Sequence, residues 1–180
     1  DARKRLKNRD NIVYTGTPAR FDTTSFDKLN KEECKKEFGL DKISKKIVLV
    51  TCGSQGAVRV NETIIEMLKN NLVNDYFIVL VTGNKNYDNI KSIKFPSNVK
   101  VVPYISQIPR IMKRTDLIVS RAGASILSEI VALNIPSILI PSPYVPNNHQ
   151  FKNAMDLVNK DAALIIEEKE AEYVKTAYEL

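Results

Sequence analysis

The residues best suited to chemistry in this chain are Ser120-Arg121-Ala122-Gly123-Ala124-Ser125 and, four positions on, Glu129. Residues 117–119, just ahead, form a short apolar, β-branched run that predicts a buried strand. From Ser125 the sequence reads as a helix with Ile126, Leu127, Ile130 and Val131 on its apolar face. A strand that passes through small residues into a helix leaves backbone N–H groups unspent at the helix start. Together with the helix dipole they make an anion site. Ser125 and Glu129 share one face of that helix. A carboxylate beside a phosphate would repel it, so Glu129 suits sugar hydroxyls instead. The same stretch also fits an ordinary strand–turn–helix in which Gly123 only eases packing.

A second loop of this type is Cys52-Gly53-Ser54-Gln55-Gly56-Ala57, between a strand at 47–51 and a helix over 58–70. It lacks the third glycine of the dinucleotide fingerprint and the Gly-Lys-Ser/Thr of a P-loop. Arg20 stands at the exit of the turn Thr15-Gly16-Thr17-Pro18-Ala19, where a guanidinium could meet an anion or simply face water. His149, the single histidine, opens a helix after Asn147-Asn148 and is followed by Gln150. With no visible orienting partner, it reads as a ligand contact rather than a general base.

These loops need a scaffold that gathers them, and the rest of the chain predicts one. Strands are expected at 77–82, 99–102, 137–140 and 163–166, and a short one at 11–14. Helices are expected over 26–38 (stopped by Gly39, with Leu29, Cys34 and Phe38 inward), 106–114, about 150–159 and 170–179. Residues 86–94 are polar and loosely helical at best. Strands alternating with helices predict an α/β fold: a doubly wound, Rossmann-like parallel sheet of about six strands. Ligands of such a sheet bind beyond the carboxyl ends of the strands. Loops 52–57, 103–107, 120–125 and 141–150 would meet there. They hold neutral hydrogen-bonding groups and backbone donors, and no Ser–His–Asp set, carboxylate pair or metal cluster. That composition favours binding of a phosphorylated, hydroxyl-rich molecule.

The 180 residues suffice for one domain or one lobe, with residues 1–44 as linker and lead-in and residues 45–180 as the binding domain. A content of 43% hydrophobic and 27% charged residues is globular. No apolar run approaches the roughly 18–20 residues that cross a bilayer. Cys34 and Cys52 have no metal-ligand spacing, so a reducing setting is expected. The chain opens at Asp1, as an excised piece would. Net charge is +6, with a basic cluster at Arg3, Lys4, Arg5, Lys7 and Arg9 that reads as a solvated linker. Aromatics are not interleaved with it, so nucleic acid is not an expected partner, and attraction to a membrane surface stands as the alternative to the linker reading.

TGTPAR, CGSQGA, RAGASILSE and NNHQFKNA, in that order and spacing, resemble the C-terminal half of the MurG family. Its members are two-lobed (GT-B) transferases that move N-acetylglucosamine from UDP-N-acetylglucosamine (UDP-GlcNAc) to lipid I, forming lipid II for peptidoglycan. The resemblance spans about residues 12–168 and implies that the domain at residues 45–180 is a nucleotide-sugar-binding one. It implies that Arg20 and Ser54, with Gln55 beside them, contact the donor diphosphate. It implies that Tyr104, Ile105 and Ile108 surround the uracil, and that the backbone at Gly123, Ala124, Ser125 and Ile126 holds the phosphates. Glu129 would accept from the ribose, and His149 and Gln150 would bind the sugar. No cofactor or metal is implied, since no Asp-x-Asp is present. The acceptor site, catalytic base and membrane-associating patch would belong to the other lobe, leaving no catalytic residue here. The full protein would act peripherally at the cytoplasmic face of the cell membrane, and this piece would be soluble and inactive alone. Thr17, Ala19, Cys52 and His149 depart from the family's usual residues. Two alternatives use the same site: a transferase with another UDP-sugar or a diacylglycerol-type acceptor, or a non-catalytic nucleotide-sugar-binding subunit.

Overall fold

The structure, a computed structural model, describes Val13, residues 15–19, Lys28, and residues 30–52, 57–70 and 73–168. Of the sequence expectations, Arg20, Ser54, Gln55, Leu29, most of the strand at 11–14 and the helix at 170–179 lie outside the described residues.

Six strands form one sheet: β1 (Lys46–Thr51), β2 (Tyr76–Val81), β3 (Val99–Val102), β4 (Leu117–Ser120), β5 (Ser137–Leu139) and β6 (Ala163–Ile165). Their order is β3-β2-β1-β4-β5-β6 and every pairing is parallel. This is the doubly wound arrangement the alternating pattern predicts. β1 and β2 are buried along nearly their whole length, as continuous β-branched runs require when both faces are covered.

Alternate residues of each strand serve opposite faces. Ile47, Leu49, Phe77, Val79, Val81, Ile118 and Leu139 pack towards Phe38 and Leu40, just after α1 (Lys31–Glu37), and towards α4 (Ile108–Met112), α5 (Ala124–Leu133) and α6 (His149–Val158). Val48, Val50, Ile78 and Leu80 pack instead towards α2 (Val58–Lys69), through Ile65 and Leu68, and towards Ile90 of α3 (Asn84–Ile90).

Local chemistry sets the element ends. The Asn30 side chain caps α1 by accepting from the Glu32 N–H at 2.8 Å. Gly39 stops the helix at φ 65°, a conformation that favours glycine. α5 ends at Asn134, also left-handed at φ 50°. The strands and helices fall within a few residues of expectation, with α4 shorter than the predicted 106–114.

One expectation needs correction. The stretch read as loosely helical at best forms α3, capped by Gly83 at φ 79°. Ile90 is its one buried residue, so no apolar stripe marked it. The Asn86 side chain supports its first turn by donating to the Thr82 carbonyl at 3.1 Å.

Leu49 lies fully buried in the central strand. Leu49→Ala should therefore lower unfolding stability by about 2–5 kcal/mol, measured by urea titration.

Candidate functional site

β1 and β4 are adjacent, while the helices that follow them, α2 and α5, pack on opposite faces of the sheet. The chain therefore leaves β1 and β4 for opposite faces, the arrangement that in doubly wound sheets sets the ligand site at the carboxyl edge.

On one side stands the N-terminus of α5. Its N-cap, Gly123, has extended backbone (φ −72°, ψ 145°), provides no side-chain cap and precedes a first turn with no acidic residue. The first intrahelical bond shown there is Leu127 N–H to the Gly123 carbonyl at 3.1 Å, so the N–H groups of Ala124, Ser125 and Ile126 stay unspent by the helix. Ala124 and Ser125 are exposed and Ile126 is half-buried. A Cβ built on Gly123 would meet nothing within 4 Å. Packing does not demand a glycine here, which weakens the packing-only reading of this turn, and the missing Cβ leaves the backbone open to close approach.

The turn before α5 is held by side chains. The buried Ser120 hydroxyl donates to the Arg121 carbonyl at 3.0 Å, and Asn153 Nδ2 of α6 donates to the Ala122 carbonyl at 3.2 Å. A trans peptide points its C=O and N–H in opposite directions. Anchoring these two carbonyls thus turns the N–H groups of Ala122 and Gly123 away from their anchors. Arg121 itself is drawn inward, its NH1 donating to the Ile140 carbonyl at 3.1 Å and lying 2.8 Å from Glu168 Oε2. The Glu168 oxygen makes no aligned hydrogen bond, so this is a contact of charges.

The loop after β5 closes the same side. The Gln150 Oε1 accepts from the Ser142 N–H at 2.9 Å, which fixes the amide so that Nε2 is its outward donor. His149 is exposed, its Nδ1 3.0 Å from the Pro146 carbonyl. A carbonyl only accepts, so Nδ1 carries the proton, and in the neutral ring Nε2 is left as an acceptor. Asn147 and Asn148, at φ 55° and 50°, turn the chain into α6 through two successive left-handed residues.

Glu129 lies on α5 but is completely buried and already engaged in a polar interaction. The Ser128 hydroxyl next to it contacts the Ser125 carbonyl at 2.8 Å and the Pro18 carbonyl at 3.3 Å, so the 15–19 turn lies against α5 beside Glu129. Tyr104 is 58% exposed beyond β3, Ile105 is buried and Ile108 is half-buried. Tyr104 and Ile105 line a pocket of about 530 Å³ with Phe38, Leu40, Lys100 and Val102. This pocket lies between the end of α1 and the β3–α4 loop, and none of the α5 N-terminal residues line it. The structure thus groups Gly123, Ala124, Ser125 and Ile126 at the start of α5, links the turn before it to α6 through Asn153, and places Tyr104 and Ile105 in a pocket that these residues do not line. Among the described residues no group of three or more His, Cys, Asp or Glu is placed to hold a metal ion.

Sequence reasoning missed Asn153 and Glu168, and gave Arg121, inside the turn it singled out, no role of its own. Arg121 between Ser120 and Ala122, directly after a buried strand, was the available signal. Its partner 47 positions away was not visible.

Residues 47–177 match the model of the family described as glycosyltransferase family 28 C-terminal domain. The chain is 44% identical over 166 residues to the UDP-N-acetylglucosamine–N-acetylmuramyl-(pentapeptide) pyrophosphoryl-undecaprenol N-acetylglucosamine transferase of Halalkalibacterium halodurans, covering 90% of this chain and 45% of that protein. The protein of the same name from Bacillus pumilus is 39% identical over 165 residues, 89% of this chain and 44% of its own length. The crystal structure of Acinetobacter baumannii MurG shares the fold, with a TM-score of 0.66 at 22% identity over 85% of this chain and 44% of that one. The chain therefore spans somewhat less than half the length of these curated relatives.

Burial pushes the Cys52 thiol up from 9.0 to about 12, with Arg121 pulling it down and Glu168 raising it. The native state thus holds this proton more tightly than the unfolded chain does. That contribution to stability is complete below pH 9.0 and is lost as the pH climbs towards about 12. Cys52→Ala should show a smaller alkaline loss of stability than the parent. Urea midpoints at neutral pH and within that window would reveal it.

Proposed function

This chain belongs to the glycosyltransferase family 28 C-terminal domain family, and on that premise we propose that it is the UDP-GlcNAc-binding lobe of an inverting glycosyltransferase. The names of its relatives support N-acetylglucosamine as the sugar and an undecaprenyl-pyrophosphoryl saccharide, lipid I, as the acceptor. The observation that carries the reading is the N-terminus of α5, open, uncapped by any side chain and entered through a glycine that packing does not need.

In this reading the N–H groups of Ala124, Ser125 and Ile126 receive the diphosphate, with Arg20, Ser54 and Gln55 around it. Tyr104, Ile105 and Ile108 take the uracil. Gln150 Nε2 donates to the sugar, and the Nε2 of His149 accepts from it. Glu129 reaches the ribose once the groups packed over it give way. The acceptor hydroxyl attacks the anomeric carbon, the bond to the diphosphate breaks, and UDP leaves. The lobe's part in that step is electrostatic: helix-terminus donors and Arg20 stabilise the charge that develops on the departing diphosphate. Residues 1–44 lead in from a second lobe, which supplies the acceptor site, the base and the contact with the cytoplasmic membrane surface.

Calorimetric titration with UDP-GlcNAc, UDP-glucose and UDP tests this. UDP-GlcNAc should bind more tightly than UDP-glucose, and the absence of saturable binding by all three would overturn the assignment. Gly123→Ala should change stability by less than about 1 kcal/mol, yet weaken UDP binding about tenfold by displacing the diphosphate from a charge-assisted hydrogen bond. Glu129→Ala should lose the ribose contribution, seen as a smaller advantage of UDP over inorganic pyrophosphate.

A further inference from the structure

Resting on the reading of the α5 N-terminus as a diphosphate site, we propose that Arg121 and Glu168 are positioning residues for it: they hold the turn that aims the free N–H groups, without touching the ligand. Arg121 belongs to the turn by its backbone, two residues before the N-cap. Its guanidinium reaches the carbonyl that ends the β5 segment, Ile140, and the carboxylate of Glu168 beyond β6. The two side chains are only 13% and 8% exposed. One cation therefore ties the exits of β4, β5 and β6 together.

Three observations favour this role over direct phosphate contact. Arg121 is committed to internal acceptors, and its charge is matched by a buried carboxylate. The carbonyls of Arg121 and Ala122 are each anchored by a separate side chain, so the turn is fixed at successive peptides. Cys52, at the exit of β1, is buried and feels both charges, so the pair lies near the carboxyl ends of β1 and β4 alike. Stability alone accounts poorly for the pair. Buried ion pairs are weak stabilisers compared with apolar residues of similar volume.

The readout is the ratio of UDP to uridine affinity, because uridine lacks the diphosphate that the turn addresses. Arg121→Lys keeps the charge but replaces the planar guanidinium, whose NH1 alone reaches both acceptors, with an ammonium of different shape and reach. The double replacement Arg121→Met with Glu168→Met removes both charges together, an exchange that buried pairs often tolerate in folding. In both variants uridine affinity should stay within about twofold of the parent, while the UDP-to-uridine ratio falls about tenfold, the loss of one charge-assisted hydrogen bond. Glu168→Gln should fall between parent and double variant. An unchanged ratio in either folded variant overturns the proposal, as does an equal loss of UDP and uridine, which marks a merely structural pair. A parent chain that binds neither UDP nor uridine instead defeats the donor-site reading on which the proposal rests.

Discussion

The parallel pairing of β1 with β4 is the constraint on which the rest of the structure depends. Val48 to Thr51 align with Leu117 to Ser120, so the last residues of the two strands stand side by side. Their helices then leave for opposite faces, because the chain has wound outward from β1 in both directions. Connections that start as neighbours are thus sent to opposite faces, and it is at such a point that doubly wound sheets bind their ligands. Had β4 paired elsewhere, Cys52 and Arg121 would not share an environment.

Around that carboxyl edge the polar groups divide into two sets. Carbonyls are bound inward: Arg121 by Ser120, Ala122 by Asn153, and Ile140 by Arg121. Amide N–H groups at the start of α5 face outward and have no side-chain cap. A loop with no ladder of its own would otherwise carry unsatisfied acceptors into a buried region, which is costly. Satisfying them with side chains from neighbouring elements removes that cost and leaves the edge electropositive through its backbone. The positive character comes from dipoles, since the charge of Arg121 at this edge is matched by Glu168.

Much of this was legible in the sequence because it rests on local rules. Runs such as Ile47-Val48-Leu49-Val50 leave little choice but a doubly covered strand, and small residues between a strand and a helix mark a turn with free donors. Gly39 announced the end of α1 for steric reasons. What was not legible depends on distance or burial. α3 carries one buried residue and so shows no periodicity. Glu129 shares a helix face with Ser125, as its spacing requires, but its complete burial comes from what packs over it. Gln150 reads equally well as a free side chain or as a brace. The partnership of Arg121 with Glu168 joins residues whose charges look like surface decoration until the sheet closes.

Gln150 illustrates what such bracing means for recognition. Its Oε1 is already bound to the backbone of Ser142, so the side chain waits in one orientation with Nε2 presented. A freely rotating glutamine would lose rotamer entropy on meeting a hydroxyl, and that loss would subtract from every hydrogen bond it made. Here the loss has been taken during folding, when the 141–150 loop formed. Under the proposed function, selectivity at this edge would be written into the stability of a loop, and a change that loosens the loop would blur the discrimination between sugars before it lowered affinity for the nucleotide.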